Sequence, residues 1–277
     1  MLWGAWGKEM TKAKRIELIE TAYEAGISSF DHADIYGNYT TEKDFGIAFS
    51  ESGLSREDVQ FITKCGIAMV CENKPYKTKH YNYDSSYVVD AVDTSLRQLK
   101  TDYLDLLLLH RPSPLLNPEE VARVINSLLS SGKILSFGVS NFTNTQIDLL
   151  ADYVPIQVNQ IEISLTHNDP MFGGQLDHCH RKNILPMSWS PLGILKKLES
   201  QWPSKLRTAI FELAEKYNCG FAPLALAWLL KHPSNIHPVI GTSDPQRLLE
   251  NVKALEIDLD LEDWFFLLES VKEKPCP

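Results

Sequence analysis

Short apolar runs recur along the chain and alternate with segments of helical periodicity. Continuous apolar runs of this kind are typical of strands that are buried on both faces. Helices between such strands imply that the strands are parallel. Seven strands are therefore predicted, and residues 1–6 could supply the end of an eighth. The seven runs lie at residues 28–33, 59–63, 103–110, 134–140, 156–163, 185–190 and 237–241.

The helical segments carry ordinary start and stop signals. One helix is predicted from an N-cap at Thr11 to a stop at Gly26, and another begins at Asn117 with Pro118 at its first helical position. Eight strand–helix units fit an α/β fold of the (β/α)8 TIM-barrel type, which usually has about 250 residues. A doubly wound sheet is the second choice, but no GxGxxG fingerprint follows the first strand. We therefore predict one barrel domain over residues 1–277.

Composition and charge exclude several classes of protein. The chain has 277 residues and a formal net charge of −9, which argues against a nucleic-acid surface. No apolar window of about 18 residues is present, so a membrane span is not expected. The start lacks a secretory signal, and the cysteines are odd in number and scattered, which predicts a reducing, cytoplasmic setting. The cysteines are Cys65, Cys71, Cys179, Cys219 and Cys276.

The stretch DHCHR superficially resembles a metal site, because His178 and His180 flank Cys179. The segment is predicted to be helical, and residues two apart on a helix point in different directions. Zinc-site spacings are not met. We therefore interpret the stretch as a polar helix surface, and no metal is expected.

A barrel carries its chemistry at the carboxyl ends of its strands. A lysine ammonium near a tyrosine favours the phenolate, an aspartate can keep that lysine charged, and a neutral histidine can orient a carbonyl. Each type of group needed for this chemistry is present at the predicted strand ends. The residues there are Asp31, His32, Asp34, Tyr36, Lys64, His110, Arg111, Ser140, Asn141, Gln160, Glu162, Trp189, Ser190, Gly241, Thr242 and Ser243.

One ordered set of motifs resembles a known family. FDHADIYG at residues 30–37 is followed by ITKCG, LLLLHRP, FGVSNF, VNQIE, WSPLG and VIGTSDPQRLLENV on successive strands. The set resembles the aldo-keto reductases over about residues 2–269. The segments HRPSPLLNPEEVA and SGKILSFGVSNFT are similar to a bacterial branch of that family.

The resemblance implies an NADPH-dependent oxidoreductase that reduces aldehydes or ketones to alcohols. Tyr36 would be the general acid, Lys64 paired with Asp31 would lower its pKa, and His110 would orient the substrate. Within FDHADIYG, the titratable groups of His32 and Asp34 would then be structural or loop groups.

The resemblance also implies contacts with NADPH along the whole cofactor. At the nicotinamide end these would come from Gly4, Ala5, Trp6, Ser140, Asn141, Gln160 and Trp189. The diphosphate would lie along Ser190, Pro191, Leu192 and Gly193. At the adenosine end the residues would be Gly241, Thr242, Ser243, Arg247, Glu250 and Asn251. Many relatives have Lys in place of Gly241, which weakens the expected preference for NADPH over NADH.

The sequence differs from the family in two further ways. Residues 66–87 lengthen the link between Lys64 and His110, and either line the substrate mouth or cover the barrel side. The sequence starts without the family's usual β-hairpin plug and part of the first strand. A barrel lacking its plug would expose apolar interior, so reduced stability or a covering partner is expected.

Two other functions compete with the reductase. A cofactor-binding redox sensor without turnover would use the same residues, and retention of all four catalytic residues favours the enzyme over it. A barrel with unrelated chemistry, such as a metal hydrolase, needs a histidine–carboxylate cluster that HAD at residues 32–34 is too weak to supply. The expected partner is a small carbonyl substrate, while its identity and the oligomeric state stay open.

Overall fold

The chain divides into two compact units, Met1–Gln160 and Ile161–Pro277. A single barrel domain over residues 1–277 therefore stays a prediction. Gly4, Ala5 and Cys276 lie outside the described residues, as does most of the short start. The computed structural model describes Trp3, Trp6, Gly7 and residues 9–197 and 199–272.

Unit 1 contains a parallel sheet and an antiparallel hairpin. Every strand predicted between residues 28 and 163 is confirmed, whereas the hairpin of β3 and β4 was not predicted. The strands are β1 Ser29–Asp31, β2 Gln60–Cys65, β3 Ile67–Ala68, β4 His80–Tyr81, β5 Leu106–Leu109, β6 Phe137–Ser140 and β7 Val158–Glu162, of which the last two residues of β7 belong to unit 2. The helices are α1 Lys12–Glu24, α2 Tyr36–Tyr39, α3 Thr41–Phe49, α4 Ser85–Leu99, α5 Pro118–Ser130 and α6 Asn144–Ala151.

The parallel pairs of unit 1 follow the order β1, β2, β5, β6, β7. The four leucines of β5 are buried, as expected for a strand that is covered on both faces. In register, Lys64 lies opposite Leu108 and Cys65 opposite Leu109. The carboxyl ends of β2 and β5 are therefore level with each other.

The capping signals read from the sequence are present in unit 1. The Thr11 side chain accepts a hydrogen bond from the backbone N–H of Lys14 at the start of α1. Gly26, which follows this helix, has φ +83, a left-handed conformation that glycine adopts without a Cβ penalty. Asn117 caps α5 through the backbone N–H groups of Glu119 and Glu120.

Unit 2 packs around a pair of tryptophans. The rings of Trp228 and Trp264 stack with centroids 4.8 Å apart, and each indole N–H donates to the other residue's carbonyl, at 3.0 and 2.9 Å. The strands are β8 Leu185–Trp189 and β9 His237–Pro238, which pair in parallel. The helices are α7 Asp169–Phe172, α8 Gln175–Lys182, α9 Ser204–Lys216, α10 Phe221–Leu230, α11 Pro245–Val252 and α12 Leu261–Lys272.

Helix α8 corrects one interpretation made from the sequence. DHCHR is helical as predicted, but His178 and Cys179 are buried, so the segment is not a polar surface throughout. The apolar character of the flanking Leu176 explains the error, because that side of the helix packs inward. Over the described residues, no group of three or more His, Cys, Asp or Glu side chains is arranged to hold a metal ion.

No helix among the described residues has both the length and the hydropathy that are needed to cross a membrane.

A close approach of α3 to the end of α4 generates a stability prediction. A Cβ built on Gly46 would lie 2.1 Å from the Gln98 carbonyl oxygen and 2.8 Å from the Leu99 Cα, both backbone atoms. We expect Gly46→Ala to lower the free energy of unfolding by about 1–3 kcal/mol, measured by urea denaturation. Gly241→Ala is the control, since its Cβ meets nothing within 4 Å. Equal urea midpoints for both variants would contradict the packing account.

Candidate active site

Three neighbouring strands of unit 1 bring together three of the four predicted catalytic residues. Asp31 ends β1, Lys64 lies in β2, and His110 directly follows β5. The backbone N–H of His110 donates to the carbonyl of Cys65 at 3.0 Å, which continues the β2–β5 pairing to the histidine. All three side chains are buried, and Lys64 is 1% exposed.

Lys64 and Asp31 form a buried ion pair. The lysine Nζ lies 2.7 Å from Asp31 Oδ1, 2.6 Å from Asp31 Oδ2 and 2.7 Å from the carbonyl oxygen of His32. Burial alone lowers the pKa of Lys64, but the charge of Asp31, with a contribution from Tyr36, raises it above its usual value. The ammonium is therefore charged at neutral pH.

Tyr36 is placed by a tight turn after β1. The carboxylate Oδ1 of Asp34 accepts the backbone N–H of Ile35 at 2.7 Å. Gly37 and Asn38 then have left-handed backbone angles, with φ 59 and 58. The Lys64 Nζ lies 5.3 Å from the centroid of the Tyr36 ring. The turn thus presents the tyrosine to the ion pair.

Two further rings surround Tyr36. The His110 imidazole packs against it edge to face, with centroids 5.9 Å apart and planes at 78°. The indole of Trp6 lies 6.2 Å away at a tilt of 59°. Trp6 also donates to the Asn38 side-chain oxygen at 3.1 Å, which fixes it beside the turn.

The protonation of Tyr36 differs from the expectation drawn from the sequence. Burial is the largest influence on the pKa of its phenol and raises it, while Lys64 lowers it and Asp31 raises it. The net pKa lies above the usual value of 10.0. The expected effect of Lys64 is present, but the cost of removing a charged phenolate from water outweighs it. Tyr36 is therefore held as the protonated phenol.

His110 is held neutral. Burial is the main cause of a pKa well below 6.5, and the charges of Lys64, Arg111 and Lys79 lower it further. Its Nδ1 is buried without a hydrogen-bond partner among the protein groups of the described residues. A neutral imidazole in this position can donate or accept one hydrogen bond without adding charge.

Ser140, Asn141 and Gln160 form one hydrogen-bonded group beside the ion pair. The Ser140 hydroxyl donates to the Gln160 carbonyl at 2.9 Å, and the Asn141 amide Nδ2 donates to Ser140 Oγ at 2.7 Å. Gln160 Nε2 also donates to Asp31 Oδ1 at 3.0 Å. Asn141 has φ 62, a left-handed conformation directly after β6. The structure therefore joins these three predicted residues to the ion pair of Lys64 and Asp31.

In unit 2, the residues after β8 form a second predicted segment. Ser190 has φ 52 and accepts the backbone N–H of Gly193 at 2.9 Å through its carbonyl. A Cβ on Gly193 would lie 2.2 Å from Thr166 Oγ1 and 2.5 Å from Ser164 Oγ. Glycine is therefore required there. Trp189 and Leu192 are half-buried and Pro191 is buried.

The third predicted segment of unit 2 precedes and opens α11. Asp244 caps this helix through the backbone N–H of Gln246. Gly241 is exposed, Thr242 and Ser243 are half-buried, and Asn251 is buried. The Arg247 side chain is 76% exposed, with its Nε 3.9 Å from Asp244 Oδ2. A group this exposed is accessible to an anion.

Glu250 borders a cavity of about 520 Å³ that is open to solvent. Its carboxylate packs against Gly220, where a Cβ would lie 2.2 Å from Glu250 Oε1. Of the predicted cofactor residues, Glu250 alone is among the lining residues, so the cavity does not mark the catalytic group. The lining residues are Phe211, Ala214, Glu215, Asn218, Cys219, Gly220, Glu250 and Lys253.

A buried carboxyl behind the site was missed from the sequence. Glu42 of α3 accepts the Thr63 hydroxyl at 2.5 Å and the Ser95 hydroxyl at 3.0 Å. Thr63 precedes Lys64 in β2, so the two side chains leave the strand on opposite faces. Burial raises the pKa of Glu42 to about 6. In the sequence Glu42 stands in the polar stretch TEKD at the start of α3, so no local signal marks it as buried.

His32 and Asp34 also lie behind the catalytic group. The His32 ring is fully buried and packs edge to face on Phe45, with centroids 4.3 Å apart. Burial is the main cause of a His32 pKa well below the usual value. Burial, reinforced by Glu42, holds the pKa of Asp34 well above its usual range. Burial therefore favours the uncharged form of both groups, which lie close to the turn before Tyr36.

Comparisons with known proteins agree with these motifs. The model of the aldo/keto reductase family matches residues 1–269. The chain is 38% identical to the uncharacterized oxidoreductase YcsN of Bacillus subtilis, over all of this chain and 94% of that protein. It is 35% identical to a 6-dehydroglucose reductase of Agrobacterium fabrum, over 90% of this chain and 84% of that protein.

A solved structure shows the same fold. The aldo-keto reductase from Klebsiella pneumoniae in complex with NADPH superposes with a TM-score of 0.81 at 24% identity, covering 99% of this chain and 90% of that one. The chain therefore belongs to the aldo/keto reductase family. The predicted enzyme class is confirmed, and so is the (β/α)8 barrel as the fold class.

The pKa of Glu42 generates a prediction on pH and stability. Because the folded-state pKa lies above the usual 4.5, its stabilising contribution is complete below pH 4.5 and is lost as pH rises through about 6. We expect wild type to lose on the order of 2 kcal/mol of unfolding free energy through this group between pH 4.5 and 7. Glu42→Gln should lack this loss in urea denaturation at each pH.

The control for this measurement is Glu57→Gln, which changes an exposed carboxyl. That variant should keep the pH dependence of wild type. If Glu42→Gln also keeps it, Glu42 does not titrate in this range.

Proposed function

We propose that this protein is an NADPH-dependent reductase that converts aldehyde or ketone carbonyls to alcohols, with Tyr36 as general acid. One observation carries the proposal: a charged Lys64, bound to both oxygens of Asp31, lies under the ring of a protonated Tyr36 that faces a neutral His110. Family membership supports the same reaction class.

The geometry suits proton donation to a carbonyl oxygen. When NADPH is bound, it supplies a hydride to the carbonyl carbon. The Tyr36 hydroxyl gives its proton to the oxygen as negative charge develops there, and Lys64 stabilises the phenolate that remains. The phenolate then regains a proton from solvent. Asp31 keeps Lys64 charged, and His110 orients the carbonyl through one neutral hydrogen bond.

Each unit carries donor groups that suit part of the cofactor. In unit 1, the hydroxyl and amide groups of Ser140, Asn141 and Gln160 match the donor and acceptor of a nicotinamide carboxamide. In unit 2, Trp189 offers an aromatic face to the ring, and the segment from Ser190 to Gly193 would follow the diphosphate. Thr242, Ser243 and Arg247 would bind the 2′-phosphate, with Glu250 and Asn251 at the adenine.

The cellular setting and partners belong to the same proposal. Among the described residues, Cys65, Cys71, Cys179 and Cys219 are free thiols. Free, scattered thiols support a reducing cytoplasmic location. A small carbonyl compound is the proposed partner, with no nucleic acid and no membrane.

The redox sensor is the competing function, because it would use the same cofactor contacts without turnover. A sensor has no need for a protonated tyrosine between a charged lysine and a neutral histidine, so the site geometry favours the enzyme.

Cofactor choice is tested by titrating the protein with NADPH and NADH while following tryptophan fluorescence. We expect wild type to bind NADPH more tightly, because Arg247 makes a charge-assisted contact with the 2′-phosphate. Arg247→Ala should weaken NADPH binding about tenfold or more and leave NADH binding unchanged. Arg181→Ala, exposed on α8, is the control. If Arg247→Ala lowered the affinity for NADPH and for NADH equally, Arg247 would not contact the 2′-phosphate.

The general acid is tested by Tyr36→Phe with a panel of aldehydes. Removing one hydroxyl should lower kcat by about 10²- to 10⁴-fold, while NADPH affinity stays within a factor of about two. Tyr153→Phe, which changes an exposed tyrosine, should keep wild-type kcat. A Tyr36→Phe variant with wild-type kcat would exclude Tyr36 as the proton donor.

A further inference from the structure

Tyr36 differs from the other proposed catalytic residues in what fixes its backbone. Asp31 and Lys64 lie within paired strands, and the backbone N–H of His110 continues the pairing of β2 and β5. Tyr36 instead opens α2, a single turn of four residues that follows the loop after β1. The position of its ring therefore depends on the contacts that this turn makes.

The turn contains three consecutive residues with left-handed backbone angles. Gly37, Asn38 and Tyr39 have φ of 59, 58 and 68. Glycine adopts such angles freely and asparagine often does, but they are unfavourable for a bulky side chain. A residue in this conformation persists only where its surroundings determine it, and such residues cluster at functional sites. Tyr39 therefore needs contacts that offset its own backbone conformation.

The side chain of Tyr39 makes these contacts with the unpredicted hairpin of β3 and β4. Its hydroxyl donates to the carbonyl of Ile67 at 3.3 Å and accepts the backbone N–H of Met69 at 2.9 Å. The ammonium of Lys74 lies 5.7 Å from the centroid of its ring. Burial is the main cause that raises the pKa of Tyr39 to about 12, so the hydroxyl keeps its proton and remains a donor at neutral pH.

The hairpin is held to unit 1 by contacts that do not involve Tyr39. The backbone N–H of Asn82 donates to the carbonyl of Gly66, the residue after β2, at 2.9 Å. A Cβ on Gly66 would lie 2.0 Å from the Tyr83 ring, so this ring packs directly on the glycine. The hydroxyl of Tyr87, from α4, donates to the Ile67 carbonyl at 3.2 Å. The hairpin can therefore act as a fixed support for the turn.

Tyr36 and Tyr39 also share an apolar contact with the hairpin. Both rings pack against one small buried cluster, which contains residues from each side of the contact. A shift of the turn would therefore move the Tyr36 ring relative to the Lys64 ammonium, which now lies 5.3 Å from its centroid. The buried members of the cluster are Ala33, Ile35 and Ile67.

We propose that Tyr39 is a positioning residue, whose hydroxyl binds the hairpin and so holds the turn that presents Tyr36 to the Lys64 ammonium. This role rests on the proposed reductase function with Tyr36 as general acid. The Tyr39 hydroxyl takes no part in the proton transfer and acts through the backbone of the turn.

The role is tested with Tyr39→Phe, which removes one hydroxyl and keeps the ring. Benzaldehyde, butanal and glyceraldehyde are tried with wild type, and the aldehyde with the highest kcat/KM is used at saturating NADPH. We expect kcat to fall about five- to fiftyfold, because a misplacement of about 1 Å at a reacting group can cost on the order of 10²-fold in rate. KM and NADPH affinity should stay within a factor of about two, which separates lost positioning from lost binding.

Tyr87→Phe is the matched control. It removes the other tyrosine hydroxyl on the Ile67 carbonyl, but this hydroxyl comes from α4 and does not hold the turn. The variant should loosen the hairpin to a similar extent and keep kcat within a factor of about two of wild type.

A double variant distinguishes positioning from a general effect on the fold. If Tyr39 acts through Tyr36, its hydroxyl has nothing left to position once the proton donor is removed. The variant with both Tyr36→Phe and Tyr39→Phe should then have the kcat of Tyr36→Phe alone, so the two effects are not additive.

Three results would overturn the positioning role alone. These are a Tyr39→Phe variant with wild-type kcat, equal losses of kcat in Tyr39→Phe and Tyr87→Phe, and a double variant that is slower than Tyr36→Phe by the full factor seen for Tyr39→Phe. If wild type binds NADPH but reduces none of the three aldehydes, or if Tyr36→Phe keeps wild-type kcat, the proposed function fails for these substrates and the positioning role falls with it.

Discussion

The buried ion pair of Lys64 and Asp31 is the interaction on which the rest of the site depends. Burying two charges costs several kcal/mol for each ion before compensation. Here the ammonium has both carboxylate oxygens and the His32 carbonyl within 2.7 Å, and Asp31 also accepts from Gln160. The parallel register of β1 and β2 holds the two residues at the same end of the sheet. Removing either partner would leave the other charge buried and uncompensated.

The ion pair and burial act on Tyr36 in opposite directions. Burial keeps the phenol protonated, and Lys64 limits the cost of losing that proton. The role proposed for Tyr36 needs both properties, because a proton donor must hold its proton until the substrate arrives and then release it. His110 is kept neutral by the same burial and the same cations, so a single electrostatic environment sets the state of both groups.

Strands and capping could be predicted from the sequence because their signals are local. The seven strands follow from continuous apolar runs, and the start of α5 follows from Asn117 and Pro118. The hairpin was missed because its strands have two residues each, too short for any periodicity. Its anchor on Gly66 and Tyr83 depends on packing that no spacing reveals.

The residues proposed as catalytic were selected through the order of motifs, whereas their protonation states could not be predicted in that way. The sign of the Tyr36 pKa depends on the depth of burial, which is a tertiary property. The pKa of Glu42 is likewise set by tertiary structure, because its partners Thr63 and Ser95 come from different elements. In α8, His178 and Cys179 are polar or reactive by type but buried by position. Residue type alone therefore does not decide which face of an element is exposed.

The most direct test of the central claim is a single turnover with NADPH deuterated at nicotinamide C4. The protein is loaded with NADPH that carries deuterium on one face of C4 and is mixed with an aldehyde, and the alcohol is analysed by mass spectrometry. The experiment is then repeated with the deuterium on the other face. The account predicts one deuterium on the alcohol carbon from one of the two labelled faces. If NADPH binds but no deuterium reaches the alcohol from either face, with a neutral and with an anionic aldehyde, the result would contradict a reductase and favour the redox sensor.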